Sequence, residues 1–440
     1  MIRLKFFLAA FMALGLSGFS QGADNEPPAG FVALFNGKDL AGWHGYDTKD
    51  PRKFQEMSAE DQQAAREKSL EDIKKHWTIQ GADLVNDGNG LYLTTDKNYG
   101  DYELWIDYKT VPKADSGIYL KGVPQVQIWD FTDPSKFGLG ADKGSGGLWN
   151  NSAGKPGKDP LVLADKPLGE WNRFHIIQIG ARTTVYLNDK LVVNNAILEN
   201  YFDRSQPLLP RGPIQLQTHG GEIRWKNIFV REIPLEEATA KLQAAADKEG
   251  FKSLFNGTDL TGWAGAADNY EVVDGAIRCK AGKGGVLHTK DEYSDFVVRL
   301  EFKVPPGGNN GLAIRYPGQG DTAYVGMCEL QVLDNEAPQY AKLDKRQYHG
   351  SAYGMAAAAR GYQRPAGQWN YQEVTVKGST ITVELNGSII LNTDLSKITE
   401  YMANSPHPGK DRTQGFFGFA GHGDAVSFRN VQIKALEAAK

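Results

Sequence analysis

The chain is poor in cysteine: its 440 residues include two, Cys279 and Cys328. Two thiols exclude a disulfide framework and a four-cysteine zinc site. An excess of charge of one sign is also missing. Lys and Arg number 49 against 53 Asp and Glu, a net charge of −4, so the basic surplus of a nucleic-acid binder is absent. Past the first two dozen residues no run approaches the roughly 18 apolar residues of a spanning helix. HExxH, paired cysteines, a phosphate loop, GxSxG and the dinucleotide fingerprint are all lacking. No spacing of acidic residues marks a calcium loop.

What is present begins with a leader. Arg3 and Lys5 precede an apolar or small-residue run over 6–19, followed by the small residues Ser20, Gly22 and Ala23. This pattern predicts a secretory signal peptide over residues 1–23, hence an exported periplasmic or secreted protein with no membrane span after cleavage. In such a compartment Cys279 and Cys328 either pair or remain two buried thiols. The 50 Gly, 20 Pro and 11% aromatics suit many short strands and tight turns.

An internal repeat organises the remainder. Phe31-Val-Ala-Leu-Phe-Asn-Gly-Lys-Asp-Leu-Ala-Gly-Trp43 returns as Phe251-Lys-Ser-Leu-Phe-Asn-Gly-Thr-Asp-Leu-Thr-Gly-Trp263. Further blocks return in the same order: Ser116–Lys121 with Asn310–Arg315, Gln125–Asp130 with Glu329–Asp334, Glu170–Asn172 with Gln368–Asn370, Tyr186–Asp189 with Glu384–Gly387, His219-Gly220 with His422-Gly423, and Asn227 with Asn430. A period near 200 residues is too long for a solenoid. It implies two homologous domains, 31–232 and 251–434. The stretch between them, 233–250, is rich in Ala, Glu, Leu and Lys and predicts a linker helix. A similar stretch at 58–76 interrupts domain 1 alone. Ser58, with Asp61 three residues on, is its candidate N-cap, and a solvated surface helix is expected.

Elsewhere apolar residues alternate. Leu104, Ile106 and Tyr108 share one face of a strand, as do Ile381, Val383 and Leu385, after which Asn386-Gly387 marks a hairpin turn. Short alternating strands with few helices predict an all-β protein of two antiparallel sandwiches.

Candidate chemistry centres on Cys328-Glu-Leu-Gln-Val-Leu-Asp334. Alternation puts Glu329 and Gln331 on one strand face, and a bulge would bring Asp334 into line with them. Domain 1 has Gln125, Gln127 and Asp130 at these positions, so the leading carboxylate belongs to domain 2 alone. A glutamate can act as a general base and a glutamine cannot; a solvated sheet face is the plain alternative. His219 and His422 recur at equivalent positions, which suits either shared binding or a shared structural bond. His349, aligned with Ser145, is a second ionisable group confined to domain 2. Tyr353 aligns with Trp149, a match that suits a sugar face or simple packing. Arg315 aligns with Lys121, a cation for a substrate oxygen or a partner for a nearby carboxylate. His44, His76, His175, His288 and His407 have no supporting pattern and are read as structural or surface residues.

Both repeats resemble the 3-keto-disaccharide hydrolase domain family. The marks are the opening Leu-Phe-Asn-Gly-(Lys/Thr)-Asp-Leu-x-Gly-Trp, the Ser-Gly-Ile-Tyr-Leu and Asn-Gly-Leu-Ala-Ile strands, Gln-Val-Gln-Ile-Trp-Asp and Glu-Leu-Gln-Val-Leu-Asp, and the closing His-Gly followed by Lys226-Asn227 or Arg429-Asn430. The resemblance implies two tandem concanavalin A-like jelly-roll β-sandwiches and a carbohydrate substrate, a glycoside whose C3 hydroxyl has been oxidised to a ketone. A C3 ketone acidifies the C2 proton, and its removal allows β-elimination of the C1 oxygen; water added to the enone completes a net hydrolysis. Such chemistry needs a base, a donor or divalent metal at the enolate oxygen, and an acid at the leaving oxygen. Residue chemistry offers Glu329 or His349 as base, Arg315 as enolate partner and His422 as acid, with Gln331, Asp334 and Tyr353 binding substrate. In domain 1, Lys121, Gln125, Gln127, Asp130, Trp149 and His219 form a binding or less active counterpart. No cofactor or oligomeric state is specified. Two rivals remain: a non-catalytic carbohydrate-binding protein stacking sugars on Trp129, Trp149 and Tyr353, and a conventional retaining β-glucanase, which needs paired carboxyls.

Overall fold

A computed structural model describes residues 23–437. The signal-peptide reading, Ala23 apart, falls outside the described residues. Each half of the chain pairs an eight-stranded antiparallel sheet with a five-stranded one, and the apolar faces of the two sheets enclose a separate core in each half. The protein is all-β, two jelly-roll sandwiches in tandem. The alternation described above sets the cores: Leu104, Ile106, Tyr108, Ile381, Val383 and Leu385 are all buried. Asn386-Gly387 forms the turn between the strands Thr380–Leu385 and Ser388–Asp394, with φ positive at both residues, as a two-residue hairpin turn requires.

The helical insert of domain 1 comprises Pro51–Gln55 and Ala59–His76. Ser58 Oγ accepts from Asp61 N at 3.0 Å. Most of the longer helix faces solvent, but Ile73 is fully buried in the domain 1 core, so the insert is docked on the sandwich. Between the halves, Leu235–Ala245 is a helix. Its Ala238 and Leu242 pack with Ile179 of domain 1, Ile233 at the start of the linker and Tyr371 of domain 2. Arg182 forms a two-pronged ion pair with Glu384 at 2.9 and 2.6 Å, and Ala181 N donates to Gly387 O at 2.9 Å. Cys279 and Cys328 are both free and buried, which decides against a disulfide between them. Among the described residues no helix is long and apolar enough to cross a membrane.

Candidate active site

The five-stranded sheet of domain 2 runs in the order Trp263–Gly265, Gly285–Tyr293, Gly415–Gly421, Asn309–Tyr316, Cys328–Leu333. Leu330, Leu312, Phe419 and Leu287 stand in one cross-strand row and are completely buried against the core. The neighbouring rows therefore point to the outer face. One contains Glu329, Ala313, Gly418 and His288; the next contains Gln331, Gly311, Ala420 and Val286. Small residues thus floor the middle of the face. Polar groups stand on strands three spacings apart, about 14 Å at the usual strand separation.

Glu329 lies flat across this floor. A Cβ on Gly311 would overlap its carboxylate and side-chain carbons, so the glycine on the adjacent strand creates the space the carboxylate occupies. Glu329 is 4% exposed. His422, just past the end of the Gly415–Gly421 strand and half exposed, places Nε2 3.2 Å from Glu329 Oε1. That hydrogen bond raises the imidazole pKa above its ordinary value; burial opposes the shift, and the charges of Asp321 and Asp424 reinforce it. Gln331 Nε2 donates to Asn309 Oδ1 at 2.6 Å. Tyr353 N donates to Glu329 O at 2.9 Å, and the Tyr353 phenol accepts from Gln347 Nε2 at 3.1 Å, leaving its own O–H to donate. The structure therefore brings Glu329, Gln331, His422 and Tyr353 to one surface.

Sequence reasoning missed Tyr324. It lies on a one-turn helix, Thr322–Val325, in the connection that reaches the Glu329 strand. Burial raises its pKa first, followed by the charges of Tyr353, Asp321 and Glu329, which marks it as their neighbour. His407 supports it, with rings stacked at 4.8 Å and Nδ1 2.7 Å from Ala323 O. A signal was available: fourteen positions separate Arg315 from Glu329, but only four separate Lys121 from Gln125. The extra residues form this loop.

Several expected residues lie elsewhere. Arg315 is 2% exposed, and its guanidinium is fully used, by the carbonyls of Ser294, Gly378 and Arg412, the Met327 sulfur and the Asp295 carboxylate. Lys121 does the same in domain 1, donating to Gly180 O at 2.8 Å while Asp101 accepts from Gly180 N. Each sits at positive φ beside a register shift, which takes its side chain out of the strand's alternation. Both cations clamp a hairpin turn and neither reaches the outer face. His349 is also displaced. It is 1% exposed, stacks on core residue Phe302 at 4.7 Å and meets Gln372 Oε1 at 3.0 Å. Burial pushes its pKa down to about 4, so it is a neutral core histidine and not a base. The Glu329 strand ends at Leu333 without a bulge. Asp334 caps the following turn, accepting from Gly307 N and Glu336 N. Asp130 does the same for Lys113 N and Thr132 N. Asp334 therefore supplies no second carboxyl beside Glu329 for glucanase-type retention.

In domain 1 the equivalent face has amides. Gln125 lies over Gly117 as Glu329 lies over Gly311 and donates to Gln127 Oε1. His219 is exposed, 4.0 Å from Asp115. Trp149 meets Trp129 edge to face at 6.0 Å. Among the described residues no group of three or more His, Cys, Asp or Glu is arranged to hold a metal ion.

Fold and site together define a tandem jelly-roll protein with a hydrogen-bonded carboxylate–imidazole pair on the outer sheet face of its second half. The chain belongs to the family of 3-keto-alpha-glucoside-1,2-lyase-like domains, which matches it twice, over residues 30–231 and 250–434. A 3-keto-disaccharide hydrolase of Bacteroides thetaiotaomicron is 28% identical over 239 residues, spanning 44% of this chain and 82% of the relative. Two crystal structures of candidate glycosyl hydrolases from Parabacteroides distasonis are also similar. One is 27% identical, covering 42% of this chain and 99% of its own, with a TM-score of 0.39. The other is 25% identical, covering 47% and 99%, with a TM-score of 0.38.

Proposed function

We propose that domain 2 cleaves 3-keto-glycosides, including 3-keto-disaccharides, by elimination across C1 and C2. The observation that carries this reading is the Glu329–His422 pair, a shielded carboxylate 3.2 Å from an imidazole whose proton it helps to hold. Glu329 takes the C2 proton, which the C3 ketone has acidified. The Tyr353 hydroxyl donates to the enolate oxygen. As the enolate collapses to the enone, the C1–O bond breaks and the departing oxygen takes the proton held by His422. Water then adds to C1 of the enone, His422 taking its proton and Glu329 returning one to C2, which gives the free 3-keto sugar and restores both side chains. The membership of both repeats in the lyase-like family and the hydrolase name of the Bacteroides relative support the substrate class. The leader-like residues 1–23 support export.

A turnover assay tests the proposal. Residues 24–440 are incubated with a 3-keto-disaccharide and with its unoxidised parent, with and without EDTA, and products are followed by mass spectrometry. Turnover of the keto form alone is expected, lost by about 100-fold or more in Glu329→Gln, as for a general base. Hydrolysis of the parent, or full activity in Glu329→Gln, would overturn it. Enone that accumulates marks a lyase, and enone that does not marks a net hydrolase.

A further inference from the structure

The two halves place their carboxylates differently. In domain 2 the acid is Glu329, and the adjacent strand contributes the amide of Asn309. In domain 1 the first position is the amide Gln125, and the acid is Asp115, the equivalent of Asn309. Gln125 donates to Gln127, and Gln127 Nε2 donates to Asp115 Oδ1 at 2.8 Å. The other Asp115 oxygen is paired with Lys136 Nζ at 2.5 Å. Asp115 is thus committed on both oxygens, and domain 1 has no free carboxylate on this face; the exposed His219, 4.0 Å from Asp115, remains as an ionisable group.

The rest of the face is also amide-rich. Gln215 lies opposite Tyr119 and Thr94, and Gln217 N donates to Gly117 O. Gln125, Gln127, Gln215 and Gln217 therefore share one side of the sheet, with inward Val126, Ile118 and Leu216 in the core. Gln217 is 93% buried by its 7% exposure, and its Oε1 has no hydrogen-bond partner. A buried acceptor without a donor costs free energy unless a ligand or water supplies one. The insert and the residues leading into it close the other end of the face. Thr48 Oγ1 lies 3.1 Å from Tyr92 OH and 2.9 Å from Tyr119 OH, and Phe54 stacks on His44 at 5.6 Å. Domain 2 has Val286, Ala313 and Ala264 at the positions of Tyr92, Tyr119 and His44, and no insert.

We propose that this face of domain 1 is a second, non-catalytic carbohydrate site that holds one neutral sugar ring through its hydroxyls, the buried Gln217 amide turning to bring its unpartnered Oε1 to one of them. Amides and a neutralised carboxylate match the donors and acceptors of vicinal diols without offering a carboxylate base. The closed end limits the ligand to a single ring, whereas the domain 2 face continues to His288. The inference rests on the carbohydrate reading of the chain but not on catalysis by domain 2.

The test uses the mature full chain carrying Glu329→Gln, titrated calorimetrically with methyl α-D-glucoside and with its 3-keto derivative. At least one sugar is expected to bind at a site that Gln217→Leu removes or weakens about tenfold or more, while the thermal midpoint stays within a few degrees. Should the leucine unfold the domain, Gln217→Met, of nearly the same length and without the acceptor, reads the same loss. No binding of either sugar, or binding indifferent to Gln217, overturns the proposal. Failure of turnover in the wild-type chain, with Gln217-dependent binding retained, would count against catalysis by domain 2 and leave this site standing.

Discussion

His422 and His349 show how far two histidines of one domain can be driven apart. His422 is held above the ordinary histidine range by its hydrogen bond to Glu329; His349 is driven to about 4 by burial among apolar groups. The sign of the linkage follows. A raised histidine pKa contributes stability that is fully present below about 6.5 and is lost as pH rises through the folded value. His422 therefore favours the folded site on the acid side of neutrality, where it also holds the proton that the proposed mechanism needs. In a proton–nitrogen NMR titration His422 is expected to titrate above about 6.5 in the native chain and to fall towards that value in Glu329→Gln. An unchanged midpoint would mean that the pair does not form in solution. Alternation along Glu-Leu-Gln-Val-Leu made the outward Glu329 legible. It did not show that the partner would be His422, which arrives from another strand.

At the scale of the element, the Glu329 strand owes its chemistry to its neighbour. Gly311 is outside the left-handed region, so alanine there suits the backbone; only the space occupied by Glu329 forbids it. Gly311→Ala is expected to keep the fold, checked by circular dichroism, and to lower keto-glycoside turnover by about 100-fold, as misplacement of a catalytic group by an ångström does. Wild-type turnover in this variant would remove Glu329 from the mechanism. The misreadings also belong to this scale. Lys121 and Arg315 each follow an alternating strand, yet each sits at a register shift with positive φ. Strand periodicity cannot be carried across such a point, so both cations left the predicted face and became clamps on hairpin turns. Asp334 and Asp130 left it because their strands end one residue earlier and a turn needed their oxygens. The Tyr324 loop was visible only as a difference in spacing, since a one-turn helix leaves no periodic signature.

At the scale of the whole molecule, the two sandwiches meet through few specific contacts. The Arg182–Glu384 pair is the best shielded of them, with Glu384 11% exposed and Arg182 26%. Its two charge-assisted bonds are supplemented by Tyr362 OH donating to Leu208 O at 2.6 Å and by the apolar cluster around the linker helix. Glu384→Ala leaves a partly buried guanidinium short of its partner, a loss on the order of 2 kcal/mol. Scanning calorimetry is expected to show a lower midpoint and a broadened or split transition as the domains uncouple. A transition identical to wild type would mean that the pair adds nothing to docking. The repeat in the sequence foretold two domains but not their relation, because the interface is made by non-equivalent parts. The hairpin tip at Gly180-Ala181 in one half meets the tip at Asn386-Gly387 in the other.

The sequence by itself determined the tandem repeat, the sandwich class, the family resemblance and the restriction of Glu329 to domain 2. All of these are local patterns or residue identities, and they survive without knowledge of distant contacts. Only the tertiary structure decided which polar groups share a surface. It sent His349 into the core and Arg315 and Lys121 to hairpin turns, joined His422 to Glu329 over Gly311, and moved the domain 1 acid to Asp115. The physical reason is that a side chain's direction follows from its own backbone, while its neighbours follow from strand pairing, register shifts and loop length across some hundred residues of chain.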